Sequence, residues 1–290
     1  MSEKKLEGAG LRGQVAGKTS LSTVGKAGKG LTYRGYPIEI LSEKAKFEEV
    51  AYLLMYGALP NQNEFNEYSN KLISMRALPE SLIEVLERIP AEAHPMDVMR
   101  TGCSMLGNIE PEGDFSNQQE SADRILATMA SVIVYWYKYS HEGVKVNTET
   151  DNATIGGHFL SLLHGKKVGD DQIRCLDTSL ILYAEHGFNA STFTARTCAS
   201  TLSDIHSCIT GAIGTLRGPL HGGANEAAME LIEKFSSTEE AKLAVLKMLE
   251  NKEKIMGFGH AVYSTEDPRN AIIKKWSEKL SKDNGDETLY

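Results

Sequence analysis

Residues 120–139 read ESADRILATMASVIVYWYKY, and the spacing of their apolar members decides the fold class. Ile125, Met129, Val132, Ile133 and Trp136 recur at intervals of three and four residues, which paints one broad stripe along a helix. Thr128 and Ser131 interrupt the most apolar part, Ile125 to Tyr137, and that part is shorter than the roughly 20 residues a bilayer crossing needs. It therefore reads as a buried helix. The same periodicity marks Phe47 to Met55, Glu64 to Met75, Cys175 to Glu185 and Glu226 to Phe235. Ser237 with Glu240 forms a capping box for a helix reaching Leu249, and Ile272, Ile273, Trp276 and Leu280 mark another after Pro268. Strand signals are confined to Leu31 to Tyr36, beside the glycines of residues 25–30. The expected class is mainly α.

A chain of 290 residues can bury a substantial core, and its length gives a prior of about two domains. No repeat and no low-complexity linker divides it; the Gly and Pro punctuation between Gly211 and Gly223 is the expected boundary. That places a large helical domain at residues 1–218 and a smaller one at 219–290. Cys103, Cys175, Cys198 and Cys208 show no C-x-x-C pairing, so they read as reduced packing residues of a cytoplasmic protein. Residues 1–10 are polar and lack the apolar centre of a signal peptide. The net charge is −8 with both signs interleaved, which advertises neither nucleic acid nor membrane as a partner. Small molecules are the expected partners, and an anionic one would be met by local groups such as Lys252, Lys254, Lys274 and Lys275.

Eight histidines are present. His141 and His164 stand beside helix-ending glycines, where a cationic side chain suits the helix dipole. His94, His158 and His206 have no distinctive sequence context. Three others are set among glycines, amides and small residues. His186 lies in EHGFNAS, expected at a helix end, with Asn189 able to fix its tautomer or share a substrate hydrogen bond; helix capping explains it about as well. His221 lies in RGPLHGGANE, a loop entering a helix amino end, a location that favours a neutral imidazole able to donate to a developing oxyanion. His260 lies in MGFGHAVY, followed by Asp267-Pro268-Arg269 at a helix start. Amides beside Gly257 and Gly259 suit a ligand's polar atoms, and Arg269 offers a fork matched to a carboxylate.

Other chemistries lack their signatures. The glycine-rich stretches satisfy neither G-x-x-x-x-G-K-[ST] nor G-x-G-x-x-G, and no G-x-S-x-G elbow is present. No H-E-x-x-H and no cysteine cluster points to a metal. Acid–base and electrophilic catalysis by imidazoles, with an arginine binding an acid, is what survives.

The sequence resembles the citrate synthase family along nearly its whole length. The resemblance rests on GLTYRGY at 30–36, HPMDVMRTG at 94–102, EHGFNAST at 185–192, Gly218 to Glu226, and Gly257 to Arg269. It implies a two-domain, citrate-synthase-like helical fold whose small domain is incomplete here, and a homodimer. It implies condensation of a short acyl-CoA with oxaloacetate, propionyl-CoA ahead of acetyl-CoA, with the CoA thioester a substrate and no cofactor or metal. His221 would polarise the thioester carbonyl and His260 would protonate the ketone oxygen. His186 and Arg269 would hold the oxo acid, with Lys71 a further substrate contact. Lys254, Ile255, Met256, Gly257 and Phe258 would receive CoA. The family's catalytic aspartate and its last substrate arginines fall downstream of Tyr290; Asp267, Asp283 and Asp286 are not expected to stand in for the aspartate. Ser264 occupies a position where some members carry a basic CoA contact. A ligand-binding or dimerising protein without turnover is the alternative that these departures keep open.

Overall fold

The computed structural model describes residues 16–25, 30–259, 262–263 and 266–285. It opens with three short antiparallel strands, β1 (Ser22–Val24), β2 (Leu31–Tyr33) and β3 (Tyr36–Pro37), in the order β1-β2-β3. The expected single strand at Leu31 to Tyr36 is thus two strands. Tyr33 pairs with Tyr36, so Arg34 and Gly35 form the two-residue loop, both at positive φ (49° and 91°), as a type I′ hairpin turn requires.

Thirteen α-helices follow among the described residues. The first five are α1 (Ile38–Lys44), α2 (Phe47–Tyr56), α3 (Gln62–Ser74), α4 (Glu80–Leu86) and α5 (Pro95–Ile109). The stripe of residues 120–139 lies in α6 (Gln118–Glu142), the longest helix. After it come α7 (Ile155–His164), α8 (Asp170–Tyr183), α9 (Ala190–Ala199) and α10 (Ile205–Leu216), then α11 (Gly223–Ile232), α12 (Thr238–Glu250) and α13 (Pro268–Asn284). The mainly helical reading is correct. No helix among the described residues is long and apolar enough to cross a membrane.

Two apolar cores share α6. One joins Tyr33, Ile38, Val50, Leu53, Leu72 and Ile181 to Ala127; the other joins Leu82, Val98, Leu106 and Ile213 to Ile125, Val132 and Trp136. α5 comes close to its neighbours through glycines. A Cβ on Gly102 would lie 2.5 Å from Val132 Cγ1, and one on Gly107 would lie 2.6 Å from His206 Cβ. α9 and α10 pack side by side, with α10 also against α5. α13 returns to α8 and α1, where Ile272 and Ile273 join the first core. Residues beyond 218 therefore do not pack only among themselves. At α12 the Ser237 side chain accepts from Glu240 N as expected, but Glu240 reaches back to Ser236 N and Oγ, not to Ser237.

The buried His158 gives this fold a pH signature. Ser131 Oγ donates to Arg76 O, so His158 Nε2–H donates to Ser131 Oγ (2.9 Å) and Nδ1 accepts from Thr150 Oγ1 (2.8 Å). Burial, reinforced by the Arg76 charge, pushes this imidazole down from 6.5 to about 3. Because the folded value is the lower one, the contribution to stability is complete above about 6.5 and is lost as pH falls toward 3, at up to about 1.4 kcal/mol per pH unit. Buried Glu48 acts in the opposite sense. Burial raises it from 4.5 to about 7, so its contribution is complete below 4.5 and is lost as pH rises toward 7. The two oppose each other between 4.5 and 6.5, and His158 acts without that opposition below 4.5. The urea midpoint of His158→Gln is expected to fall less steeply than that of the parent from pH 4.5 to 3; parallel curves would refute the assignment.

Candidate active site

The site forms around the amino end of α9. Asn189 is the N-cap, and its Oδ1 accepts from Thr192 N (3.0 Å) and Ser191 Oγ (2.8 Å). Asn189 is therefore spent on holding the helix start, as a cap should be, and not on the tautomer of His186. The next first-turn amide, Ser191 N, points at His221 Nε2 (3.3 Å), and Ser191 Oγ, whose one proton is shared between Asn189 Oδ1 and this nitrogen, lies 2.9 Å from it. An amide N–H can only donate, so Nε2 carries the lone pair and the proton of His221 sits on Nδ1. Burial lowers the pKa of this half-buried imidazole, which keeps it neutral near neutral pH. Neutrality was expected from the helix amino end; the cause the structure supplies is desolvation. His221 immediately precedes Gly222, the N-cap of α11, and so stands at the amino ends of two helices.

His186 sits on the turn leading into α9. Half-buried Glu185 shapes that turn: its Oε1 accepts from Gly187 N (2.6 Å) and Ser22 Oγ (3.0 Å), and Gly187 adopts φ +66°. Burial raises the Glu185 carboxyl, against the pull of both hydrogen bonds. His186 Nε2 lies 3.0 Å from Tyr263 Oη, with the two rings edge to face at 5.5 Å. Burial holds the Tyr263 phenol protonated. The 262–263 segment is seated against β1: a Cβ on Gly25 would lie 2.6 Å from Val262 Cγ1 and 3.2 Å from the Tyr263 ring.

Arg269 opens α13, beside Tyr263 and Tyr33. Its fork is already engaged by a carboxylate: Nε reaches Asp267 Oδ1 and Oδ2 at 2.9 and 3.2 Å, and Nη2 reaches Oδ2 at 2.6 Å. Asp267 also caps α13 through Arg269 N, so it is the helix-end residue the sequence indicated. An incoming acid would have to share or displace it.

The turn at Lys254, Ile255, Met256, Gly257 and Phe258 follows α12. Ile255 is buried, Phe258 is largely exposed, and a Cβ on Gly257 would lie 3.2 Å from Ala228 Cβ, so the turn rests on α11. The Phe258 amide donates to Ile255 O (3.3 Å) and is thereby occupied. Lys71 is on α3, held by Asp123 (2.8 Å) and Glu120 (2.6 Å) of α6; this pairing does not connect it to the histidines. Among the described residues, no carboxylate hydrogen-bonds to His221. His260, Ser264 and Asp286 lie outside the described residues. Sequence reasoning missed Ser191 and Tyr263, although both stand in the motifs quoted. The contacts span 30 and 77 residues, and no local signal encodes them.

The first turn of α9 thus holds the neutral N–H donor His221, and the turn leading into α9 carries His186, whose partner Tyr263 lies beside Arg269. That pairing suits a substrate whose carbonyl gains negative charge near a bound oxo acid. Residues 10–290 match the profile described as "Citrate synthase, C-terminal domain", and the chain belongs to the citrate synthase family. It is 65% identical over 287 residues to a 2-methylcitrate synthase of Shewanella oneidensis, covering 99% of this chain and 76% of that one. It is 39% identical over 284 residues to citrate synthase 2 of Bacillus subtilis, covering 97% and 76%. A solved structure of the citrate synthase of Thermoplasma acidophilum, in ternary complex with carboxymethyl coenzyme A and oxaloacetate, superposes with a TM-score of 0.87 at 30% identity, covering 94% of this chain and 73% of that one. The chain thus spans about three quarters of the length of these relatives.

Proposed function

We propose that this chain carries the chemistry of a 2-methylcitrate synthase, condensing propionyl-CoA with oxaloacetate and water to give 2-methylcitrate and CoA. The observation that carries the reading is the neutral, half-buried His221, fixed by Ser191 beside the His186, Tyr263 and Arg269 group, in a chain so similar to an enzyme of that name. A thioester α-proton is weakly acidic, so a carboxylate base removes it only while the growing oxyanion is stabilised. The Nδ1–H of His221 supplies that stabilisation without carrying a net charge. The α-carbon then attacks the ketone carbon of oxaloacetate, whose polar groups are held by His186 and Arg269. His260 protonates the new alkoxide, and water cleaves the thioester to release CoA. Lys254 to Phe258 receive CoA. Lys71, held by Asp123 and Glu120, serves as a further substrate contact once it leaves or shares those partners. No metal or cofactor is required.

The protein works as a cytoplasmic homodimer, a reading supported by four free cysteines, by an α9 with no buried residue, and by the exposed Tyr183 and Leu202 flanking that helix. Its large domain ends near Gly218.

The test of the acyl preference compares kcat/KM for propionyl-CoA and acetyl-CoA at saturating oxaloacetate. One methylene in an apolar pocket is worth about 10–200-fold, so a preference for propionyl-CoA of at least about tenfold is expected. The reverse preference would make it a citrate synthase. A second reading, oxo-acid binding without turnover, is favoured by the lack of any carboxylate hydrogen-bonded to His221 among the described residues; it requires oxaloacetate to raise the melting temperature with no CoA released.

A further inference from the structure

The motif at residues 94–102 takes no part in the chemistry above, and His94 has no distinctive sequence context. The structure nonetheless places the first turn of α5 against both ends of the loop that carries His221. On the entering side, Arg217 Nε lies 3.7 Å from Asp97 Oδ2, an ion pair without a hydrogen bond, and Asp97 Oδ1 also holds Arg100 Nη1 at 3.0 Å. On the leaving side, the two carboxylate oxygens of Glu226, in the first turn of α11, lie 3.1 and 3.0 Å from His94 Nε2. Between these grips the loop is closed by its own backbone. His221 N donates to Gly218 O (2.9 Å), Gly223 N to the same oxygen (3.2 Å), and Ala224 N to His221 O (3.0 Å). A loop closed in this way shifts as a unit, so a displacement at either end is passed to His221.

The protons of His94 follow from its contacts. Met96 N donates to Nδ1 (3.1 Å), so Nδ1 holds the lone pair and Nε2–H is the group that reaches Glu226. One neutral imidazole therefore caps α5 and ties down α11. α11 has no buried residue, so apolar packing does little to fix where it starts.

We infer that His94 and Asp97 form a clamp that positions His221, gripping Glu226 on one side of its loop and Arg217 on the other. These are positioning residues and touch no substrate. The functional part of the inference rests on the proposed role of His221, whereas the structural part does not.

Glu226→Ala cuts one grip and leaves the α5 cap intact; Glu226→Gln keeps an oxygen that accepts from Nε2–H. Both are made in the full chain. Side-chain 15N–1H NMR of the histidines reports on His221 whether or not the protein turns over. In Glu226→Ala the His221 imidazole signals are expected to move. CoA release should lose about tenfold in kcat, short of the hundredfold that an ångström of misplacement can cost. Its KM for oxaloacetate should stay within about twofold, the signature of a group felt in the transition state more than in binding. Glu226→Gln should match the parent in both readouts. Unmoved His221 signals in Glu226→Ala would overturn the clamp, even if stability falls, and so would a Gln variant as impaired as the Ala variant. If the parent itself releases no CoA, the proposed reaction fails while the His221 signals still decide the clamp.

Discussion

Replacing His221 with alanine is expected to lower kcat for CoA release by about 10²–10³, the cost of removing one donor from an oxyanion site. The argument is geometric. Ser191 N–H fixes the lone pair on Nε2, burial keeps the ring neutral, and the proton left on Nδ1 faces no described protein acceptor. A neutral donor is what a developing enolate needs, since its stabilisation should grow as charge builds on the oxygen. Stabilisation by oxaloacetate should survive in this variant, because His186 and Arg269 are untouched. Steady-state rates and a thermal shift on the same sample check both halves. A loss below about threefold would remove His221 from the chemistry, given that a single such donor is normally worth far more.

Trp136→Ala should produce the largest loss of stability, about 3–5 kcal/mol. Trp136 is 1% exposed at the centre of the second core, and its Nε1 donates to Ile89 O (3.3 Å), which ties α6 to the loop after α4. Truncation removes the apolar contacts, opens a cavity and leaves the Ile89 carbonyl without that donor. Urea unfolding should show a midpoint well below the parent's with an unchanged m-value. A shift worth under about 1 kcal/mol would mean that the core around α6 closes over the gap.

The elements most legible in the sequence are those whose order is local. α6 and α13 announce themselves by apolar spacing, and α12 by its Ser237 cap. The β2–β3 turn was hidden because Arg34 adopts positive φ, which its side chain does not advertise, while Gly35 alone could have served many turns. The boundary at residue 218 was read from glycines and a proline, and nothing in that punctuation foretold that α13 would return to α1 and α8.

At the site, the glycine-rich contexts of His186 and His221 were enough to single them out, since close backbone approach leaves a compositional mark. Their partners were not legible. Ser191, Tyr263, Asp97 and Glu226 are ordinary residues until the fold closes distances of 30 to 132 residues along the chain. His94, set aside for lack of context, proves to cap α5 and reach α11. The fork of Arg269 was read as matched to a substrate carboxylate, and the carboxylate it holds in the structure is Asp267, two residues away.

The central claim is tested most directly by incubating the chain with propionyl-CoA and oxaloacetate and identifying the product by mass spectrometry. The account predicts 2-methylcitrate in equal amount to the CoA released, with neither formed when either substrate is omitted. A folded protein that gains stability from oxaloacetate yet forms no 2-methylcitrate would contradict it.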